Sequence, residues 1–431
     1  MRVLVLGASG FIGSAVAAHL ADAGHTVLAG ARRPEAARRL APALDWVEAD
    51  FRRLTTPEAW RPLVDGVEAV VNCVGALQDG AGESLTLAHA TGPAALFAAC
   101  AVAGVQRVIH ISAVGADEGA GTAYARSKQK TEQALTATSL DWTILRPSLV
   151  VGRAAYGGTA LMRGLAALPF ATPLIGGRQT FRPIMLPDLA EAIARLLQPD
   201  APSRVILEVA GREPLTLAEV LQGFRGWLGL PPAPVIAVPR AMAWPVLKLG
   251  DLLGWLGWPS SLRTTSLRQM DYYVEGDAEA WVAATGIAPM TFGQFLSRNP
   301  ATSADRWYAK LYFVRPISIA ALSVFWGLTG LISLGPGYPR AIAVLQTGGY
   351  GAWSVPVEVI GALFDIAMGV ALLIRRWTAA IATCMCVATA GYLLAGSLSL
   401  PQLWADPLGP WLKVIPMMAL CLFVAATEDR R

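Results

Sequence analysis

An α/β fold with a doubly wound parallel sheet, followed by an all-α membrane domain, is what three features of these 431 residues predict. Short apolar β-rich runs alternate with helical stretches through the first two hundred residues, the pattern of βαβ units. The first run breaks directly into a glycine-rich turn, Gly7-Ala8-Ser9-Gly10-Phe11-Ile12-Gly13. Charge then thins toward the C-terminus: 12 of the 120 residues from Tyr312 to Arg431 are charged, against 54 of the first 311. The overall 54% hydrophobic and 15% charged residues, with mean hydropathy +0.46, thus average a soluble-like part with a membrane-like part.

Taken in order, Val3–Leu6 is too short for a secretory signal and reads as a strand. Further strands are predicted at Thr26–Ala29, Ala69–Val74, Val105–Ser112 and Trp142–Leu145, with helices such as Ser14–Ala23 and Thr91–Ala103 between them. Together they predict a Rossmann-type domain over residues 1–200. Beyond about Pro199 the strands give way to segments rich in Pro, Gly and Trp, including Gly223–Pro234 and Trp255–Ser260. A small, mostly helical substrate or cap region is expected over residues 201–305. Within it Met242–Trp258 is apolar but interrupted by Pro245, Lys248, Gly250 and Asp251. It reads either as helices packed on the sheet domain or as helices resting on a membrane surface.

Residues 306–431 are expected to form a four-helix transmembrane domain. Its spans are Leu311–Leu334, Pro356–Ile374, Thr378–Ser397 and Pro410–Ala426. At about 1.5 Å rise per residue each is long enough for a hydrocarbon core of about 30 Å. Arg306, Lys310 and Arg315, then Arg375-Arg376, then Arg430-Arg431 all fall on one side, and Arg340 is the sole basic residue of the opposite loops. The positive-inside rule puts the sheet domain and the C-terminus in the cytoplasm. Arginine-heavy, alanine-rich usage suggests a GC-rich bacterium, hence its inner (plasma) membrane. Of the tryptophans, Trp307, Trp326, Trp353, Trp377, Trp404 and Trp411 lie mostly near span ends, as interfacial anchors should.

In the second span Glu358, Gly361, Asp365 and Gly369 fall at i, i+3, i+7 and i+11, so they share a face that should look inward. Lys413, placed in the fourth span, is positioned to pair with Glu358. A carboxylate at that depth needs a partner, a proton path or a polar head group, or it is protonated and hydrogen-bonded between helices.

Net charge is +4, so there is no basic face for nucleic acid. The cysteines Cys73, Cys100, Cys384, Cys386 and Cys421 have neither zinc-site nor disulfide-framework spacing. A reducing compartment and no structural metal are expected. Cys384 and Cys386, two apart on a helix, point away from each other.

A glycine turn between a strand and a helix lets backbone N–H groups approach a pyrophosphate, with the helix dipole adding attraction. Gly7, Ser9, Gly10, Phe11, Ile12 and Gly13 are the candidate contacts. Past the second strand stand Arg32 and Arg33, where an acidic residue would accept a free ribose 2′-hydroxyl; arginine suits a 2′-phosphate, which favours NADP over NAD. Tyr124 and Lys128, four apart, share a helix face, where an ammonium can lower a phenol's pKa. Ser112 ends a strand at the ligand edge of a parallel sheet and can hydrogen-bond a substrate carbonyl. The chain has 30 arginines and 5 lysines, so lysine at position 128 points to a need for its compact, titratable charge.

Through Gly7-x-x-Gly10-x-x-Gly13, Ser112 and Tyr124-x-x-x-Lys128, residues 1–300 resemble the short-chain dehydrogenase/reductase superfamily in its extended or atypical branch. Thr122–Glu132 and Phe181–Asp188 bring the likeness nearest to NAD(P)-binding proteins related to the NADPH-binding accessory subunit of respiratory complex I. The resemblance implies that Asp50 contacts the adenine ring and that Asn72-Cys73-Val74-Gly75 lines the cofactor, Asn72, Val74 and Gly75 among its contacts. It also places Arg146-Pro147-Ser148, Pro147 above all, beside the nicotinamide. Ser112 would polarise a carbonyl, Tyr124 would give or take the proton, and Lys128 would hold the ribose. Leu6 departs from the threonine common before the first glycine, and the short Ser112–Tyr124 segment argues against a nucleotide-sugar substrate. The last four spans resemble the DoxX-like membrane domain.

The expected function is a membrane-anchored NAD(P)H-dependent oxidoreductase, NADPH-preferring, acting on a hydrophobic carbonyl or quinone-like compound. The rival expectation is a non-catalytic NADPH-binding membrane protein with an assembly or redox-sensing role. A nucleotide-regulated transporter, resting on Asp365, ranks behind both. Oligomeric state is not legible in the sequence.

Overall fold

The computed structural model describes residues 1–75, 85–117, 121–176, 179–255, 257–258, 261–270 and 275–428. The chain divides into two units, Met1–Ala309 and Lys310–Arg431. In the first, β1 (Arg2–Leu6), α1 (Phe11–Asp22), β2 (Thr26–Ala31), α2 (Pro34–Leu40), β3 (Asp45–Glu48), α3 (Pro57–Val64), β4 (Ala69–Asn72), α4 (Gly92–Ala103), β5 (Arg107–Ile111), α5 (Ala123–Thr136) and β6 (Asp141–Pro147) follow one another. Next come β7 (Val150–Val151), α6 (Gly157–Ala166), β8 (Thr172–Ile175), β9 (Thr180–Phe181), β10 (Ile184–Met185), α7 (Leu186–Leu196), β11 (Val205–Val209), β12 (Leu215–Thr216), α8 (Leu217–Trp227), β13 (Val235–Val238), α9 (Arg240–Trp255), α10 (Thr264–Met270), α11 (Glu279–Thr285) and α12 (Phe292–Arg298).

Seven strands form one sheet in the order β11-β6-β5-β4-β1-β2-β3, with every pairing parallel. This is the doubly wound α/β sheet the alternation predicts. The order reverses between β1 and β4, and that crevice at the strands' C-terminal ends is where such sheets take ligands. Val3, Leu4, Val5 and Leu6 are all fully buried, because helices cover both faces. Val3 and Val5 pack with Val16, Leu20 and Ile193 of α1 and α7. Leu4 and Leu6 pack on the other side with Trp60, Leu96 and Phe97. The sheet draws its last strand, Val205–Val209, from beyond residue 200, where strands were expected to end. Trp281, from α11, is fully buried in the same core and donates its indole N–H to Ala210 O at 3.0 Å.

The remaining short strands pair as β7 with β10, β9 with β12 and β8 with β13. Around them α6, α8 and α12 enclose a separate core with Phe181, Phe224, Phe292 and Phe295. Asp188, in the Phe181–Asp188 segment, accepts from Met290 N at 2.7 Å and so ties α7 to the segment leading into α12; burial raises its carboxyl above the ordinary range.

The second unit is helical: α13 (Ser303–Leu334) leads into it, then α14 (Tyr338–Thr347), α15 (Ser354–Leu372), α16 (Thr378–Ser399) and α17 (Val414–Thr427). Among the described residues three helical segments, Ser303–Leu334, Gly351–Leu372 and Arg375–Ser399, are long and apolar enough to cross a membrane. The fourth expected span is shorter than predicted: α17 has 14 residues and begins at Val414, not Pro410. Pro416 lacks an N–H and is tolerated in a first turn, so a start near 414 accommodates it. Lys413 therefore caps α17 rather than sitting inside a span, and no ion pair joins it to Glu358 among the described residues. Helix α14 occupies what was expected to be a loop. Arg430 and Arg431 lie outside the described residues.

Gly369 faces α13 closely: a Cβ there would come 2.8 Å from Gly327 N, and Ser323 Oγ donates to Gly369 O at 2.8 Å. Small residues at such a crossing let backbones approach, as membrane helices do. Asp365 is not left alone, since Tyr392 Oη donates to its carboxylate at 3.1 Å. Trp326, expected near an interface, is instead buried in mid-helix between Phe364 and Tyr392. Arg315 pairs with Glu428, just beyond α17.

Candidate functional site

Gly7 lies just after β1 with φ +74°, a left-handed conformation that glycine adopts without strain. Gly13 sits in the first turn of α1, where a Cβ would come 2.2 Å from Gly7 O. These two positions fold the turn tightly against the helix start. The N-cap of α1 is Gly10, which supplies no side-chain cap. First-turn N–H groups without a side-chain partner suit an anion, so the residues present fit a dinucleotide pyrophosphate. Ser9 is exposed, Ile12 is half-buried, and the Phe11 ring stacks on Tyr156 with centroids 5.4 Å apart.

Arg32 and Arg33 are exposed immediately beyond β2. Asp50, after β3, is 4% exposed and is forked by Arg52, with Nε to Oδ1 at 2.9 Å and Nη2 to Oδ2 at 2.6 Å. That hydrogen-bonded pairing holds its carboxyl below the usual range, and the Arg32 charge adds to the effect.

At the end of β4, Asn72 is fully buried. Its Oδ1 accepts from Val74 N at 3.1 Å, and its Nδ2 donates to His110 Nδ1 at 3.2 Å. The side chain thus shapes the 72–75 turn from beneath. Cys73, in that turn, is held as a neutral thiol, burial pushing it up to about 12. Gly75 lies beside Lys128 and His89: a Cβ there would sit 3.4 Å from Lys128 Nζ and 3.7 Å from His89 Nε2.

Ser112 follows β5 directly and its backbone N–H bonds Leu145 O at 2.7 Å. Its hydroxyl is buried and, among the described residues, has no hydrogen-bond partner. A buried unpaired hydroxyl is costly, which makes it a candidate contact for a bound group. Pro147 ends β6 and accepts from Val114 N at 3.3 Å.

Tyr124 and Lys128 both lie on α5, whose N-cap Thr122 accepts from Ala125 N at 3.1 Å. Lys128 is 3% exposed; its Nζ donates to Ile111 O at 2.8 Å and to Val74 O at 3.4 Å. One ammonium thereby joins the C-terminal ends of β4 and β5. Burial brings its pKa down to about 8, opposed by Cys73 and Glu132. The sequence reading expected the lysine to lower the tyrosine's pKa. Instead burial pushes Tyr124 up to about 12, because desolvation of the phenolate is what dominates.

His89 and Ser127 were not anticipated. A π-helical turn, Leu87–Thr91, precedes α4 and carries His89 to within 2.8 Å of Ser127 Oγ and edge-on to the Tyr124 ring at 5.9 Å. Ser127 spends its hydroxyl proton on Tyr124 O at 2.6 Å, so His89 Nδ1 must be the donor in the 2.8 Å contact. Its Nε2 is then an acceptor. Burial, helped by Lys128, lowers the His89 pKa to about 2, so the ring is neutral. The only hint in the sequence was that two of the four histidines, His89 and His110, fall in segments flanking this edge.

Arg146, expected beside the nicotinamide, is drawn into an ion-pair cluster. It forks Glu132 of α5 at 2.9 and 2.6 Å, reaches Asp117 at 3.0 Å and donates to Ala116 O at 3.0 Å. It therefore ties the loop after Ser112 to the helix that carries Tyr124 and Lys128.

Comparison with known proteins agrees with this layout. Residues 7–166 match the NAD(P)H-binding family and residues 323–422 the DoxX-like family. A photosystem II assembly factor, Ycf39 of Synechocystis sp., is 26% identical over 233 residues, 52% of this chain and 66% of that protein; the match thus spans just under two thirds of the relative's length. Among solved structures, gox2253 has TM-score 0.55 at 20% identity, covering 72% of this chain and 99% of that one. The Escherichia coli NADPH-dependent quinone oxidoreductase QOR2, complexed with NADPH, has TM-score 0.53 at 20% identity, covering 69% and 99%. The Bacillus anthracis dTDP-glucose 4,6-dehydratase, in complex with NAD, has TM-score 0.53 at 17% identity, covering 72% and 97%. By these matches residues 7–166 are similar to NAD(P)H-binding domains and residues 323–422 to DoxX-like domains.

Proposed function

We propose that the protein is a membrane-anchored, NADPH-preferring oxidoreductase that reduces a hydrophobic carbonyl or quinone-like compound. The observation that carries this reading is the buried Ser112 hydroxyl, without a hydrogen-bond partner among the described residues, at the same sheet edge as Lys128 and the end of the glycine turn. Gly7, Gly10 and Gly13 with the α1 N-terminus would hold the pyrophosphate, and Arg32 and Arg33 the 2′-phosphate. A bound nicotinamide supplies the hydride. Ser112 Oγ–H donates to the substrate carbonyl oxygen, and Tyr124 Oη–H gives that oxygen its proton. With burial pushing it up to about 12, the Tyr124 phenol carries its proton at neutral pH. Lys128 holds the ribose and fixes the strand end next to Ser112. The membrane domain motivates a lipophilic substrate, and QOR2 is a protein of the same fold that is named for quinone reduction. On this reading the nucleotide-binding domain faces the cytoplasm at a bacterial inner membrane, a reading supported by the one-sided basic residues at the span ends.

The test is NADPH and NADH oxidation by the full chain in detergent over a panel of lipophilic carbonyls and quinones. Tyr124→Phe should lower turnover about 10²–10⁴-fold while NADPH binding, read by cofactor fluorescence, stays intact. Turnover unaffected by the substitution would overturn the assignment of Tyr124.

A second reading is favoured by one observation, the similarity to an assembly factor. On it the chain binds NADPH without turnover and assists assembly or senses redox state. Tight NADPH binding, no oxidation across the panel and a co-purifying membrane complex would select it.

A further inference from the structure

We propose that α9 is a membrane-surface helix that docks on an anionic lipid bilayer. Its 16 residues seat on the protein along one stripe, Ala243, Leu247, Gly250 and Gly254, all buried at helical spacing. Most of the rest of the circumference is apolar and open. Met242, Val246 and Leu249 are 70%, 53% and 54% exposed, and Leu252 and Trp255 are 52% and 74%. A contiguous exposed apolar face of this kind on a folded domain marks an interaction surface. The polar side carries interfacial groups: Lys248 Nζ lies 5.0 Å from the centroid of the half-exposed Trp244 ring.

Two observations select the bilayer as occupant. Residues 240–270 hold the exposed cations Arg240, Lys248 and Arg268 against the single acid Asp251, the fourth cation, Arg263, being buried. Asp251 accepts from Thr264 N at 3.1 Å and Thr264 Oγ1 at 2.8 Å and also lies 3.9 Å from Lys248 Nζ, so Lys248, itself 57% exposed, is only loosely paired within the helix. An apolar stripe edged by cations and tryptophan is the composition of a helix lying in the headgroup layer, with net positive charge drawing it to anionic lipid. The same excess of positive charge disfavours a second copy of this face. The DoxX-like domain also keeps the chain on a membrane, so lipid is the partner present at the highest effective concentration. The proposal rests on that membrane attachment and not on the catalytic reading.

The experiment places the photo-crosslinking residue p-benzoylphenylalanine at position 249 of the full chain, an exposed site whose replacement leaves the core intact. A control carries it at Arg39, exposed on the nucleotide-binding part. Both are reconstituted into phosphatidylcholine vesicles with 30% phosphatidylglycerol and irradiated. Lipid adducts at position 249 at least tenfold above those at position 39, reduced severalfold by Lys248→Glu or by omitting phosphatidylglycerol, are the expected result. A band of twice the chain mass, a crosslink to another segment of the same chain, or no adduct above the control would overturn the proposal.

Discussion

Protonating His89 is costly to the fold. Its pKa is about 2 in the folded chain, against 6.5 when exposed, because burial and the Lys128 ammonium oppose the charged ring. The folded value lies below the unfolded one, so the neutral ring's contribution is complete above pH 6.5 and is lost as pH falls. Well below 6.5, each such histidine steepens the fall by about 1.4 kcal/mol per pH unit; His110 adds to it, its pKa also lowered by burial. His89→Asn, which keeps a donor for Ser127 Oγ, should therefore flatten the decline of Tm between pH 6.5 and 5. Thermal unfolding of both proteins across that range checks it; parallel slopes would mean that His89 does not stay neutral in the fold. At this scale the sequence offered Ser112, Tyr124 and Lys128 as candidate residue types for a reductase site. It did not disclose His89, because a single imidazole acquires its role from the π-helical turn that aims it. Nor did it foresee that burial would outweigh the lysine at Tyr124.

Arg146 links elements rather than residues. Its fork to Glu132, only 5% exposed, joins the end of β6 to α5, and its bonds to Ala116 O and Asp117 add the loop after Ser112. Arg146→Met strands the Glu132 charge, a loss of about 3–5 kcal/mol for a buried pair broken on one side. Pairing it with Glu132→Gln should restore part of that stability, because no unpaired charge is then buried. Denaturant unfolding of the single and double variants measures both, and a double variant no more stable than Arg146→Met would refute the clamp. Periodicity found the strands β1, β2, β4, β5 and β6 to within a few residues, since runs buried on both faces stand out. It missed β11, whose alternation is half-exposed, and α14, which lay in an expected loop. It overestimated the last span because hydropathy does not register the constraint that Pro416 places on a helix start.

On the scale of the whole chain, the testable property is orientation. With the nucleotide-binding part cytoplasmic, the Arg375–Trp377 turn lies on the same side as the N-terminus, and the 348–350 turn on the other. Reporter fusions or impermeant labelling at positions 376 and 349 in spheroplasts should show protection and accessibility respectively. The reverse pattern would refute the positive-inside assignment.

The sequence by itself determined that a parallel sheet with a glycine-rich turn after its first strand precedes a membrane domain. Hydropathy, glycine spacing and alternation are local properties, and they need no knowledge of distant contacts. Only the tertiary structure decided which polar groups meet. The Lys128 ammonium bridges the ends of β4 and β5, Arg146 is held by Glu132, and Asp365 accepts from Tyr392. Such pairings depend on which elements the fold brings side by side. Burial then sets their charge states, through a desolvation cost that no linear pattern of residues expresses.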